Sequence, residues 1–369
     1  MSSMISKAPS LCKKKAVGLF YIVLLFGGQV LCAQVPEIYY CEKATDPITI
    51  DGLASEEGWQ KALWTNPFVD IEGNKKPKPY LDTRVKMLWD QDYFYFYAEM
   101  EEPHLWAKLK QRDTVIFYDN DFEVFIDPDG DTHNYYELEL NAFNTVWDLL
   151  LTRPYRDGGH AIDHWDIHGL KSAVNLKGTL NDPSDTDEGW SVEIAIPWEV
   201  LSEASRQKTP PLHGDIWRVN FSRVQWETVV ENGRYVKKQD PDTGKRLPEN
   251  NWVWSPMRVI AMHEPEFWGL VQFVSEPGDM TMTDEQAFEL EAKSLLYDIH
   301  RALKVLARKK QSYAGNLEDL GLSPFEYKGQ KAEVKIFAHV SGYLVHLSHP
   351  GLNDDWMLDQ TGRSWKVNK

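Results

Sequence analysis

The chain has 369 residues, roughly twice the usual length of one domain, so a single small module is excluded and one large domain plus something smaller is allowed. Hydrophobic residues make up 42%, charged residues 26% and aromatics 12%, with 15 Trp, a balance that supports a sizeable core and argues against disorder for most of the chain. The net charge of −16 argues against nucleic acid as a partner, because neutralising phosphates requires clustered Lys and Arg.

Residues 1–33 read as an export signal. Lys13, Lys14 and Lys15 precede an apolar run from Ala16 to Phe26, and Leu31-Cys32-Ala33 ends on a small residue before Gln34. Gly27, Gly28 and Gln29 interrupt the run before it reaches the ~20 apolar residues of a membrane span. The expected product is periplasmic or extracellular, with no membrane span once the signal is removed. A lipid anchor on Cys32 needs a small residue before it, and Leu31 is not one. Of the three cysteines only Cys41 is certain to survive cleavage, so no intramolecular disulfide is expected and Cys41 reads as a buried small hydrophobe.

Residues 34–276 carry short β runs separated by Gly, Pro, Asn and Asp clusters. Thr83 to Trp89, Tyr93 to Ala98, Phe122 to Ile126, Tyr135 to Asn141, Trp190 to Ile196, Trp217 to Arg223 and Gly269 to Phe273 alternate with period two. Such runs, punctuated by turn signals, predict antiparallel sheets packed as a β-sandwich, in immunoglobulin-like or jelly-roll-like layers. The clearest hairpin turn is Trp89-Asp90-Gln91-Asp92-Tyr93. Helical turns are expected only at Glu56 to Leu63 and at Trp198 to Glu203.

Residues 280–369 read as a small α+β domain. Thr283 followed by Gln286 fits a capping box, and Phe288, Ala292, Leu295, Leu296, Ile299, Leu303 and Leu306 recur at helical spacing up to Lys309-Lys310. Short strands follow at Val334 to Ala338, Tyr343 to Leu347, Trp356 to Leu358 and Ser364 to Val367. In outline this resembles the pilin and pseudopilin layout, without the apolar N-terminal half of a pilin helix.

Within the β region the residues become specific. Ile48-Thr49-Ile50-Asp51-Gly52-Leu53 with Trp59, Val85 to Asp90, Asn120 to Pro128, Trp190 to Trp198 and Trp268-Gly269 occur in one order. This order resembles the family 9 carbohydrate-binding modules and the wider DOMON-like β-sandwiches, over about residues 46–274. The resemblance implies a non-catalytic sandwich that binds sugars, often at a chain end, with bound calcium. Carried over by position, a stacking aromatic falls on Tyr118 and the acid that accepts sugar hydroxyls on Glu123. An Arg of many members falls on Glu139, a reversal of charge, and the second stacking Trp falls near Met262-His263.

A sugar offers hydroxyls that need donors and acceptors, and C–H faces that stack on aromatic rings. Strand alternation puts Tyr135, Glu137, Glu139 and Asn141 on one face, and Asp121, Glu123, Phe125 and Asp127 on one face of the neighbouring run. Asn220, Ser222 and Trp226 could join them, or Arg218 and Arg223 by pairing with the acids. The same pattern also fits the solvated face of a half-exposed strand. Trp89, Trp190, Trp217 and Trp268 read as core, while Trp147, Trp165, Trp226, Trp252 and Trp254, in loops or polar runs, are the expected platforms. The candidate sugar-binding set is Tyr118, Glu123, Glu139, Asn141, Asn220, Trp226 and Trp254.

Asp127-Pro128-Asp129-Gly130-Asp131 clusters three carboxylates around a glycine, the oxygen-rich arrangement hard cations need, so Asp127, Asp129 and Asp131 are the candidate calcium ligands. Pro-Asp-Gly is also a common tight turn by itself. His160, His164 and His168 would make a zinc face on a helix, but the surrounding Gly and Asp residues favour a loop. Haem, bound by some DOMON-like relatives through Met and His, has only Met262-His263 to recommend it. The expected function is therefore an exported, non-catalytic protein whose partner is a polysaccharide or oligosaccharide. The rival is a secreted glycoside hydrolase using Glu137 with Glu139, or Asp121 with Glu123, as acid and base.

Overall fold

The computed structural model describes residues 36–275, 278 and 282–369. The export signal expected at residues 1–33 lies outside the described residues. Period-two alternation is realised throughout the β region: Phe122, Val124 and Ile126 of strand Asp121–Asp127 point one way, into a core shared with Tyr136, Leu138 and Leu140 of strand Tyr135–Asn141. The same core takes Val85 and Met87 from strand Thr83–Trp89, Phe94 and Phe96 from Tyr93–Glu101, and Val192 and Ile194 from Gly189–Pro197. These strands belong to one hydrogen-bonded 13-stranded sheet that curls over itself, so its two halves face each other as a β-sandwich. Edge-on and stacked rings close the middle, with Phe221 5.7 Å from both Phe96 and Phe122.

One strand departs from the antiparallel expectation. Ile38–Lys43 runs parallel to both of its neighbours, Gly269–Val274 and Thr83–Trp89, and so joins the two halves of the sheet. Its Cys41 is a fully buried free thiol in the core, as expected of a small hydrophobe. The predicted hairpin at Asp90 is also present: its carboxylate accepts the Asp92 and Tyr93 N–H groups, each at 2.8 Å.

The Ile48-to-Trp59 motif has a structural origin in Glu193. That buried carboxylate accepts the Asp51 and Gly52 N–H groups and the Trp59 indole N–H, pinning the loop to strand Gly189–Pro197. Gly52 is required there, because it has φ +86° and a Cβ would lie 2.8 Å from the Asn175 amide nitrogen.

The C-terminal region follows the sequence closely. Helix Asp284–Lys310 starts on the capping box of Thr283 and Gln286 and ends in Arg308, Lys309 and Lys310, which suit the helix dipole. It packs Phe288, Ala292, Leu296, Ile299 and Leu303 on an antiparallel sheet of strands Glu333–His339, Gly342–Ser348, Asp354–Asp359 and Ser364–Asn368, forming a core separate from that of the sandwich. Polar contacts fasten this region to sandwich loops. Lys293 Nζ donates to the Gly130 carbonyl at 2.7 Å, Arg363 Nε to Asp131 at 3.0 Å, and Lys304 pairs with Asp157 at 2.8 Å. Among the described residues no helix is long and apolar enough to cross a membrane.

Candidate functional site

The face of strands Asp121–Asp127 and Tyr135–Asn141 opposite the main core holds the carboxylates. Glu123 lies directly across the ladder from Glu139, Phe125 across from Glu137, and Glu139 across from Trp147 of strand Val146–Leu151. Below them Phe125, Tyr135, Leu149, Met262 and Trp268 form a second apolar cluster. The carboxylates open into a cavity of about 270 Å³, walled by Phe117, Trp147, Tyr155 and His263 and edged by Glu249 and Asn251. That is just under the roughly 300–1,000 Å³ of sites for drug-sized ligands, which gives room for a terminal sugar unit rather than a long enclosed chain.

The electrostatics of this cavity are unusual. Oxygens of Asp121, Glu123 and Glu139 lie within 4.8 Å of one another. Burial pushes the Glu123 carboxyl up to about 7. Glu137 is raised by burial and then by the Glu123 charge, and Glu139 by burial and then by Glu123, Asp121 and Glu137. Glu139 accepts the Phe117 N–H at 3.0 Å. His263 Nδ1 meets the Tyr135 hydroxyl at 3.1 Å, its ring packs edge-on to Tyr155, and burial pulls its imidazole down to about 4.

Of the residues singled out from the sequence, Glu123 and Glu139 meet here, with Glu137 and Trp147 beside them. The others are placed elsewhere. Tyr118 is 53% exposed and faces a neighbouring cavity with Trp106, Lys237 and Arg246, so Phe117, not Tyr118, is the ring beside the acids. Trp226 is buried under the Lys237 ammonium, 3.2 Å from its ring centroid, and donates its indole N–H to the Phe117 carbonyl. Asn141 is spent on the fold: its amide donates to Leu109 and Asp119 and accepts from Phe143 and Thr145. Asn220 likewise holds both backbone polar groups of Ser255.

The platform role expected for Trp252 and Trp254 gives way to core packing. Strand Asn250–Val253 pairs with Ile216–Gln225 and draws both indoles inside. Trp254 occupies the space a side chain at Gly269 would take, since a Cβ there would lie 2.3 Å from its ring. Trp165 packs on Tyr136. The sequence missed Tyr155 as a wall, because it sits on a short 3-10 turn, Tyr155–Asp157, in a loop with no periodicity to flag it. His263 stands near where the resemblance puts the second stacking Trp. His160, His164 and His168 lie outside helices and strands, and no metal-compatible grouping among the described residues includes them.

The Asp127 turn is built differently. Its three carboxylates also approach within 4.8 Å, but Asp127 accepts the Gly130 and Thr132 N–H groups, and Asp131 binds Arg363 and Arg206. Burial, followed by the Asp131 charge, pushes Asp129 up to about 7.

The fold and the cavity define an all-β sandwich with a polar, aromatic-walled pocket on the outer face of one half. Residues 50–217 match the family described as carbohydrate family 9 binding domain-like, so this stretch of the chain is similar to family 9 modules. The chain is similar to the Exoglucanase XynX of Acetivibrio thermocellus, 28% identical over 119 residues that make up 32% of this chain and 9% of that protein. It is also similar to Endo-1,4-beta-xylanase A of Thermoanaerobacterium saccharolyticum, 26% identical over 150 residues, 40% of this chain and 10% of that protein. The matched stretch therefore spans about a tenth of the length of these relatives. Among solved structures it is similar to a carbohydrate binding module family 9 from Caldicellulosiruptor kristjanssonii in complex with cellotriose, with a TM-score of 0.42 and 16% identity over 67% of this chain and 98% of that one.

Proposed function

We propose that the chain is an exported, non-catalytic carbohydrate-binding protein whose ligand enters the cavity between Trp147, Tyr155 and the carboxylates of Glu123, Glu137 and Glu139. The observation that carries this reading is the convergence of hydroxyl acceptors and flat aromatic walls in one sugar-sized cavity. The family 9-like match over residues 50–217 supports it independently. Profiling the full mature chain against a glycan array tests it: retention of at least one glycan is expected, and loss of that retention in Trp147→Ala. An array blank at every glycan removes the reading.

Export is supported by the lysines and apolar run of residues 13–33, and N-terminal sequencing of the exported chain should begin at Gln34. The hydrolase reading draws on the proximity of Asp121, Glu123 and Glu139, with Glu123 holding a proton near neutral pH as a general acid would. Release of reducing ends from a polysaccharide panel would establish it in place of binding alone.

Calcium at Asp127, Asp129 and Asp131 is proposed as a stabiliser. The donor set, three carboxylates and the Gly130 carbonyl, suits a hard cation. Lys293, Arg206 and Arg363 already neutralise the turn, so an ion must compete with them. When bound it would supply charge neutralisation to the turn and no chemistry to the sugar cavity.

A further inference from the structure

The sugar cavity has acids without a counter-charge. Among the described residues that line it there is no Lys or Arg. Glu137, 6% exposed and lining it, accepts no hydrogen bond from the described residues, and the basic group that approaches it is His263 Nε2 at 4.0 Å. That imidazole is held neutral by burial. Beneath, the Asp121 Oδ2 atom is buried with no partner, although Asp121 Oδ1 takes the Val224 N–H. Carboxylates crowded this closely in a poorly solvated place repel one another strongly, and anything that delivers a positive charge relieves that repulsion.

We infer that the cavity selects a saccharide bearing a free, protonated amine, a deacetylated amino sugar, over a neutral sugar of the same size. The inference rests on the carbohydrate-binding reading and deepens it. A primary ammonium has three donors and no acceptor, which matches Glu123, Glu137 and Glu139 standing on one face. Trp147 and Tyr155 favour an organic cation over a bare metal ion, because an aromatic wall attracts an ammonium and stacks on the sugar ring that carries it. A divalent ion would gain nothing from those rings.

The test is calorimetry of the full mature chain, with chelator present, against three oligosaccharides of equal length: glucosamine, N-acetylglucosamine and glucose oligomers. The glucosamine oligomer should bind at least tenfold tighter than the other two, and Glu137→Gln should erase most of that advantage. Glu249→Gln, at the cavity edge, serves as the second variant if Glu137→Gln fails to fold, and should reduce the advantage by a smaller factor. Equal affinity for all three oligomers overturns the inference and leaves the carbohydrate reading standing. Absence of binding to any of them, together with a blank glycan array, removes both. Amine selectivity unchanged in Glu137→Gln and Glu249→Gln places the amine elsewhere and overturns it. So does a cavity that retains calcium ion, in titrations without chelator, but shows no amine preference.

Discussion

Two groups of buried acids lie on the same half of the molecule, and they are treated in opposite ways. Around the loops at 155–157 and 264–266 every acid has a partner. Asp157 is met by His300 at 3.2 Å, Lys304 at 2.8 Å and Arg156 at 3.0 Å, and Glu266 by Arg301 at 2.6 Å. Most of these partners come from the C-terminal helix. In the cavity lined by Trp147 and Tyr155, Glu123, Glu137 and Glu139 are as deeply buried, and no Lys or Arg is among the described residues lining it. Burial alone therefore does not say what an acid is for; the supply of counter-charge does. The paired acids hold the loops that carry Tyr155 and His263, and the unpaired ones line the cavity proposed to take the ligand.

The largest expected effect comes from breaking the paired group. Arg156 bridges Asp157 and Glu266 and also contacts Glu264, and removing one member of a buried ion cluster typically costs ~3–5 kcal/mol. Arg156→Met should lose about that much in denaturant unfolding. It should also weaken glycan binding, since Tyr155 is the next residue in the chain. A loss below about 1 kcal/mol would show that Arg301 and Lys304 suffice without it.

Next in size is the unpaired group. Glu123→Gln keeps shape and removes charge, and a desolvated charge-assisted hydrogen bond is worth ~1.5–3 kcal/mol, so affinity for the glycan found on the array should fall by about ten- to a hundredfold in calorimetry. Trp147→Ala should cost a comparable amount. Tyr118→Ala, facing the neighbouring cavity, should change little. If Tyr118→Ala weakens binding more than Trp147→Ala, the ligand lies in that other cavity.

How much of this could be read in advance follows from what leaves a local trace. Alternation placed Glu123, Glu137 and Glu139 on one face, and Thr283 with Gln286 marked the start of the long helix, because both signals are local. Three features left none. The parallel pairing of Ile38–Lys43 depends on strands more than forty residues away in sequence, at Thr83–Trp89, and farther still at Gly269–Val274. Trp252 and Trp254 sit in a polar stretch yet are buried, because strand pairing and the bare Gly269 give them space. Tyr155 and His263 meet only in three dimensions, in loops where no period exists to read.

The two groups should also respond to pH with opposite sign. Glu123 holds its proton up to about 7 in the folded chain, above the usual carboxylate value of 4.5, so its contribution to stability is present below about 4.5 and is lost as pH rises through about 7. The groups facing it, Asp121, Glu137, Glu139 and Glu249, are acids, and His263 is neutral there, so none offsets the loss. Asp157 is pushed up by burial but held well below the usual range overall by His300, Arg156 and Lys304, so its contribution is present above the usual carboxylate range and is lost only in stronger acid. Stability profiles from pH 4 to 8 should flatten in Glu123→Gln, with a gain of order 1–3 kcal/mol at the alkaline end. An unchanged profile would mean that water or an ion already relieves the cavity.

The smallest effect expected is that of calcium on the wild-type chain. An ion that binds only the folded state stabilises it by mass action, about 2.7 kcal/mol at a hundredfold excess over its Kd, but only to the extent that its oxygens are free. Here Lys293 donates to the Gly130 carbonyl at 2.7 Å, and Arg363 and Arg206 hold Asp131. Chelator should therefore lower the wild-type melting temperature only slightly. Lys293→Met removes the competing ammonium and leaves the carboxylates, so the calcium response should grow in that variant, while Asp129→Ala should abolish it in either background. A melting curve indifferent to chelator in both wild type and Lys293→Met would show that the protein's own cations have taken over the turn completely. The acidic turn would then belong wholly with the paired group, as the seat on which the C-terminal region docks.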